Sequence, residues 1–405
     1  MRIQAQPTGT PVGPDSYAHC STLYALGLCL RDTRQPTIAE ERFREALALL
    51  EKRLAQAPDN VVFLRLHANL FNDLGFVLMQ QGKFVPVREA YVQALKEFRI
   101  HQDMRNVVVV LQRLGLLSYN QGQYSVARKQ LLQALEQFEA LGEPAAQADT
   151  WYILGYIALS AKDLVEAERC LRESLAIREH LGNVADAADC CNVLAQVAER
   201  DGRTGEAEGW YQGALRRIER VEPDWIRHAS CLGNLANLLT SEVQVGRAPK
   251  TRLVDARRYA EQSLRIEEQP GVSTELWKTL GILARIAEIE EDEEVARTYR
   301  RRECESYAAF AGNRTWIDQQ YGSLIAAITQ AARGNQVQRA SVEEMFPQLE
   351  QAGWHIRAAV EHNWAGERDW HTLADELDPE GALLILRVLE TLGSPADTAT
   401  PKEEA

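Results

Sequence analysis

The chain has 405 residues, of which 45% are hydrophobic and 25% charged, and it carries a formal net charge of −13. Such acidity argues against generic nucleic-acid binding, where Lys and Arg neutralise phosphates, and no apolar run approaches the ~18 residues of a membrane span. Seven cysteines without a CxxC pair form neither a disulfide framework nor a zinc site, and read as reduced, mostly buried residues of a cytoplasmic protein.

Residues 1–16 are expected to form a flexible N-terminus. They are rich in Pro, Gly and Thr, and they lack the basic start, apolar run and cleavage site of a secretory signal. From residue 17 onward Ala, Leu, Glu, Arg and Gln dominate, all good helix formers. A first helix pair is read from Leu23, Leu26, Gly27, Ala39, Phe43 and Ala46. Four segments then align with one another without adjustment, starting at Phe71, Leu111, Trp151 and Cys191. Gly75, Gly115, Gly155 and Ala195 are 40 residues apart, and so are Ala94, Ala134, Ser174 and Ala214. Each unit reads as a helix carrying a large residue, Leu and a small residue. A break follows near Gly82, Gly122, Lys162-Asp163 or Gly202. The second helix carries a small residue, then Tyr91, Leu131, Leu171 or Tyr211, then another small residue. Small residues let two helix backbones approach, and large ones fill the neighbouring hole.

A sixth pair follows from Leu232, Leu235, Ala236, Ala256, Ala260 and Ser263, with an insertion around Val245 to Thr251. Trp277, Leu280, Gly281 and Ala296 mark a degenerate seventh. The chain from 311 to 393 does not repeat. It reads as three or four helices, the last starting at Asp378-Pro379, and holds Trp316, Trp354, Trp364 and Trp370. A solenoid needs an atypical end to cover its last apolar face, so this block is expected to be a C-terminal helical cap, with a second interaction surface as the alternative. Residues 394–405 read as a disordered tail.

The offsets from Gly75 to Val87, Tyr91 and Ala94 resemble the signature of the tetratricopeptide repeat family. That family's unit is 34 residues long, so a 40-residue period implies longer helices or longer connections. Similar extended repeats occur in kinesin-light-chain-like arrays and in sensor regions of signal-transducing ATPases. The resemblance implies an all-α fold, a right-handed α-solenoid of about seven helix pairs over residues 17–310.

A search for chemistry returns little. Gly246 to Thr251 lacks the second glycine of a phosphate-binding loop, and no HExxH or GxSxG is present. Cys190 or Cys191 near His180 is the nearest approach to a nucleophile pair, but Cys191 sits at a core position of its repeat. His355 and His362 lie two turns apart, too far for one metal. The acidic run around Glu290 and Glu291 and the basic run Arg297, Arg300, Arg301 and Arg302 read as solvated faces. No catalytic residue, cofactor or metal is expected.

In the resembled family the first helix of each pair lines the concave wall. The positions exposed there lie two or three residues before the small residue, and one, four and five after it. Here they include Asn72, Asp73, Gln112, Arg113, Tyr119, Tyr152, Tyr156, Asn192, Gln196, Arg200, Asn234 and Asn237. Amides that donate and accept at once suit a peptide backbone, tyrosines give broad contact, and arginines pair with carboxylates. The expectation is therefore a protein- or peptide-binding scaffold or sensor module, free-standing or part of a larger signalling assembly. It would engage neither nucleic acid nor a membrane, and its oligomeric state is left open. A receptor for a small signal peptide or small ligand that changes curvature is the alternative, and a hydrolase hidden in the C-terminal block the remote one.

Overall fold

The computed structural model describes residues 17–33, 35–220, 225–269 and 275–393. The expected flexible N-terminus and disordered tail lie outside the described residues. Among the described residues the chain is built of nineteen α-helices and one 3-10 turn, with no strand. It divides into two compact units, residues 1–203 and 204–405.

The first unit holds α1 (Tyr17–Asp32), α2 (Pro36–Gln56), α3 (Val61–Gln80), α4 (Phe84–Ile100), α5 (Met104–Asn120), α6 (Tyr124–Leu141), α7 (Pro144–Ser160), α8 (Leu164–His180) and α9 (Val184–Arg200). From α4 onward each helix has 17 or 18 residues, and connections of two or three residues separate them. The long period therefore comes from longer helices, not longer links. Short polar side chains start several of them. Asp103 accepts from the Asn106 N–H at 3.2 Å, Asp163 from Glu166 at 3.1 Å and Asn183 from Asp186 at 3.3 Å, satisfying donors the helix leaves open. The break expected after each first helix is a single left-handed residue, Gly82, Gly122, Lys162 or Gly202.

Consecutive helices pack as antiparallel hairpins, and the odd-numbered helices also lie side by side, α1 on α3, α3 on α5, α5 on α7 and α7 on α9. One contact recurs inside the hairpins. Gly75 faces the ring of Tyr91, Gly115 faces Leu131 and Gly155 faces Leu171, so closely that a Cβ would overlap the opposing side chain. Tyr91, Leu131 and Leu171 are fully buried. The small residue in the first helix thus exists to admit the large one in the second. By length and composition alone α3 is apolar enough to cross a membrane. Ten of its residues are buried within the unit, the polar His67, Asn72 and Asp73 among them, which marks it as a core helix.

The second unit holds α10 (Thr204–Ile218), α11 (Trp225–Gln244), α12 (Leu253–Glu267), α13 (Leu276–Ile289), α14 (Glu293–Ala309), α15 (Ala311–Ala332), α16 (Gln336–Gln351), α17 (Arg357–Trp364), α18 (Trp370–Ala374) and α19 (Pro379–Gly393). Helices α10 to α14 continue the hairpin pattern, and the insertion around Val245 forms a loop and the 3-10 turn Lys250–Arg252. The non-repeating block has five helices where three or four were expected, because the short α17 and α18 are separate pieces. Its core gathers Ile317, Ile328, Val342, Phe346, Val360 and Leu384, and α19 lies against α14. The tryptophans tie the block together, Trp364 donating its indole N–H to the Ile328 carbonyl at 3.2 Å and Trp370 to that of Ala382 at 2.8 Å. Asp378 caps α19 through the Gly381 N–H at 2.7 Å. The basic run on α14 is paired as a solvated face should be, Arg300 with Glu288 at 2.9 Å and Arg301 with Glu305 at 3.2 Å.

Candidate functional site

The repeat register sends one stripe of each odd helix to the same face. In the first unit this stripe carries Asn72 and Asp73 on α3, Gln112, Arg113 and Tyr119 on α5, Tyr152 and Tyr156 on α7, and Asn192, Gln196 and Arg200 on α9. Asn234 and Asn237 lie on α11 of the second unit. Both are half-buried, and Asn237 Oδ1 accepts from Arg285 at 2.5 Å.

Two of the expected exposed residues are not exposed. Asn72 and Asp73 are buried. Asp73 accepts from the Tyr24 hydroxyl at 2.6 Å and from Arg31 at 3.1 Å, and Arg113 stands 3.7 Å away. Arg113 donates at 3.0 Å to the main-chain oxygen of Asn72. Both guanidiniums lie over the ring of Phe76, Arg31 at 5.7 Å and Arg113 at 5.2 Å from its centroid. A buried carboxylate needs such partners, and supplying them from α1 and α5 removes Asp73 from the wall. Burial, then the Asp73 carboxylate, pushes the Tyr24 hydroxyl well above the usual phenol range, so it stays a donor.

Other members of the set bridge neighbouring repeats while keeping part of their surface. Gln112 donates to Thr150 Oγ1 at 3.2 Å, Tyr119 shares a hydrogen bond with Ser160 at 2.9 Å, and Arg200 donates to the Leu159 carbonyl at 3.2 Å. Tyr152 and Tyr156 meet edge to face at 5.2 Å. Burial raises both phenols above their usual range, Tyr152 further through Tyr156 and Asp189. Asn192 and Gln196 are half-buried on α9.

Gln112, Arg113 and Tyr152 come together around a cavity of about 300 Å³. Phe76 and Met79 of α3, Leu116 of α5 and Ile153 of α7 supply its apolar wall, and Asp149 and Arg178 its remaining polar groups. Phe76, Met79, Leu116 and Ile153 stand at the same offsets from the small residue as the expected set. A selection of polar and tyrosine side chains passes over them, although the offsets themselves point to them. Arg178 belongs to α8, a second helix, where no groove residue was sought.

Nucleophilic chemistry finds no support beside this face. The Cys190 thiol is pushed up by burial, against the pull of the Arg178 guanidinium beside it. Six of the seven cysteines are buried and Cys29 is exposed, all of them free. Among the described residues no three His, Cys, Asp or Glu side chains are grouped to hold a metal ion.

Residues 107–180 and 187–224 match family models of the tetratricopeptide repeat. These are tetratricopeptide repeats. No curated protein matches the sequence. Among solved structures, the chain is similar to a signal transduction ATPase with numerous domains that carries a tetratricopeptide repeat sensor, from Pyrococcus horikoshii. The TM-score is 0.53 at 12% identity, over 71% of this chain but only 42% of that one. It is also similar to BtubC from P. vanneervenii (TM-score 0.48, 17% identity, 56% of this chain and 91% of that one) and to yeast Tom70 (TM-score 0.47, 13% identity, 84% and 70%). At these identities the likeness is one of fold, an array of tetratricopeptide helix pairs.

Proposed function

We propose that the odd-helix face of the first unit receives a peptide segment of another protein, and that the chain serves as a scaffold or sensor module without catalysis. The observation that carries this reading is the cavity on α3, α5 and α7. It combines an apolar wall with an amide, a phenol and two guanidiniums, the mixture that orients a bound chain while excluding water. Its 300 Å³ lies at the low end for a whole small ligand, which favours one or two side chains of a longer segment over the alternative of a free small molecule. The free, mostly buried cysteines support a reducing, cytoplasmic setting. The partner is then either the ligand of a free-standing adaptor or a component of a larger signalling assembly.

The test is site-directed photo-crosslinking. Benzoylphenylalanine at Tyr156, on the odd-helix face, should capture a discrete protein from native lysate, while the same group at Lys129, exposed on α6, should not. Equal capture at both positions, or capture at Lys129 alone, would overturn the reading.

A further inference from the structure

Arg178 breaks the repeat. Its register position is held by Leu50 in α2, Phe98 in α4, Phe138 in α6 and Ile218 in α10, all buried apolar side chains, and by Glu267 in α12. Arg178 is as deeply placed, only 5% exposed. A guanidinium there costs desolvation that a phenylalanine would not. Its Nη1 donates to the Asp186 carbonyl at 2.8 Å and to Cys190 Sγ at 3.3 Å, and its plane lies over the Tyr152 ring at 4.6 Å. The Nε is buried without an acceptor. Among the described residues, the carboxylate that bonds its guanidinium directly is that of Asp149, at 2.9 Å.

That ion pair is lopsided. The Asp149 side chain is 58% exposed and the Arg178 side chain 6%. The arginine is fixed by main chain, thiol and ring. The aspartate stands on α7 one turn ahead of Tyr152 and Ile153, at the edge of the cavity, with more than half of its side chain in solvent. The second guanidinium of the cavity, Arg113, is already engaged by Asn72 and Asp73, so Arg178 is the one whose carboxylate is exchangeable. The apolar wall of Phe76, Leu116 and Ile153 continues the same cavity.

Building on the peptide-binding reading, we propose that this cavity takes an acidic side chain flanked by an aliphatic or aromatic one, the incoming carboxylate replacing Asp149 on Arg178. Asp149 is then a resident competitor, and it keeps the buried charge paired while the site is empty. A carboxylate is the group that matches a guanidinium edge, and the apolar wall gives the neighbouring side chain its place. An inorganic anion would leave that wall unused.

The experiment is selection of phage-displayed random 12-mers on the full chain, followed by affinity measurements on the enriched peptides with Asp149→Ala and Arg178→Met. Enriched sequences should pair Asp or Glu with Leu, Ile, Phe or Trp. Asp149→Ala should tighten them about five- to tenfold, because a competitor that fills the site most of the time lowers apparent affinity by the fraction it leaves open. Arg178→Met should abolish the preference for the acid yet melt no lower than the parent, since methionine restores the apolar register and the carboxylate it releases is largely exposed. Enrichment of peptides without acids, equal binding to Arg178→Met, or weaker binding to Asp149→Ala would sink the exchange while leaving the face a peptide site. Failure to enrich any peptide would sink both.

Discussion

Gly155 shows how a single residue carries the repeat. A Cβ at this position would lie 2.6 Å from Leu171 Cγ, and at Gly115 one would lie 2.8 Å from Leu131 Cγ. Gly155→Leu therefore forces α7 and α8 apart across a fully buried contact. Overpacking of this kind costs about 1–3 kcal/mol, and more where the opposing side chain has no room to retreat. We expect Gly155→Leu to lower the urea midpoint by an amount equivalent to about 3 kcal/mol, whereas a melt like that of the parent would mean that the helices do not meet here. This glycine was legible in the sequence, because a 40-residue period marks it three times over. The burial of Asn72 and Asp73 was not. The side chains that cover Asp73 come from Tyr24 and Arg31, 49 and 42 residues earlier in the chain, and no local pattern announces such a pairing. Arg178 was legible in principle, as a charge in a column that holds Leu50, Phe98, Phe138 and Ile218 in α2, α4, α6 and α10, but only to a reading that compares second helices as closely as first ones.

At the scale of the element, the unit is a 17-residue helix closed by a short left-handed turn. The turn residue after the first helix is glycine in α3, α5 and α9 but Lys162 after α7, with φ of 64°. A left-handed residue with a side chain costs roughly 1–2 kcal/mol, and glycine gives back part of that gain through its freer unfolded chain. Lys162→Gly should thus stabilise the first unit by up to about 1 kcal/mol, read as a higher urea midpoint with an unchanged slope. A lower midpoint would show that the lysine side chain does something in the fold that its backbone angle hides. The break at Lys162-Asp163 was visible without a glycine because the register demanded one there, and Asp163 caps the next helix. The C-terminal block offered no such guide. With no repeat to align, the short α17 and α18 merged with their neighbours, and only the Asp378-Pro379 start of α19 carried a local signal strong enough to read.

At the scale of the molecule, the two units hold their carboxylates differently. In the first, Glu166 is lowered to about 2, chiefly by the hydrogen bonds from Arg169. Glu40 and Glu168 also lie below the usual range, because burial, which works against them, is outweighed by Lys83 and Gln81 in one case and by Arg172 and Arg203 in the other. In the second unit Glu390 is lowered in the same manner, burial being outweighed by Arg314 and Arg387. Glu267 and Glu303 are raised there by burial itself. A lowered carboxylate adds stability above its unfolded pKa, near 4.5, and loses it as the pH falls toward the folded value. A raised one does the reverse, taking up its proton sooner in the folded state, so that acid favours the fold. Acidification below about pH 4.5 should therefore loosen the first unit while Glu267 and Glu303 help to hold the second. Seven of the eight tryptophans lie in residues 204–405, so indole fluorescence reports mainly on that unit and far-ultraviolet circular dichroism on both. In an acid titration the loss of helicity should begin at a higher pH than the change in fluorescence. Superimposable curves would mean that the units unfold as one and that these local carboxylate networks do not govern acid stability.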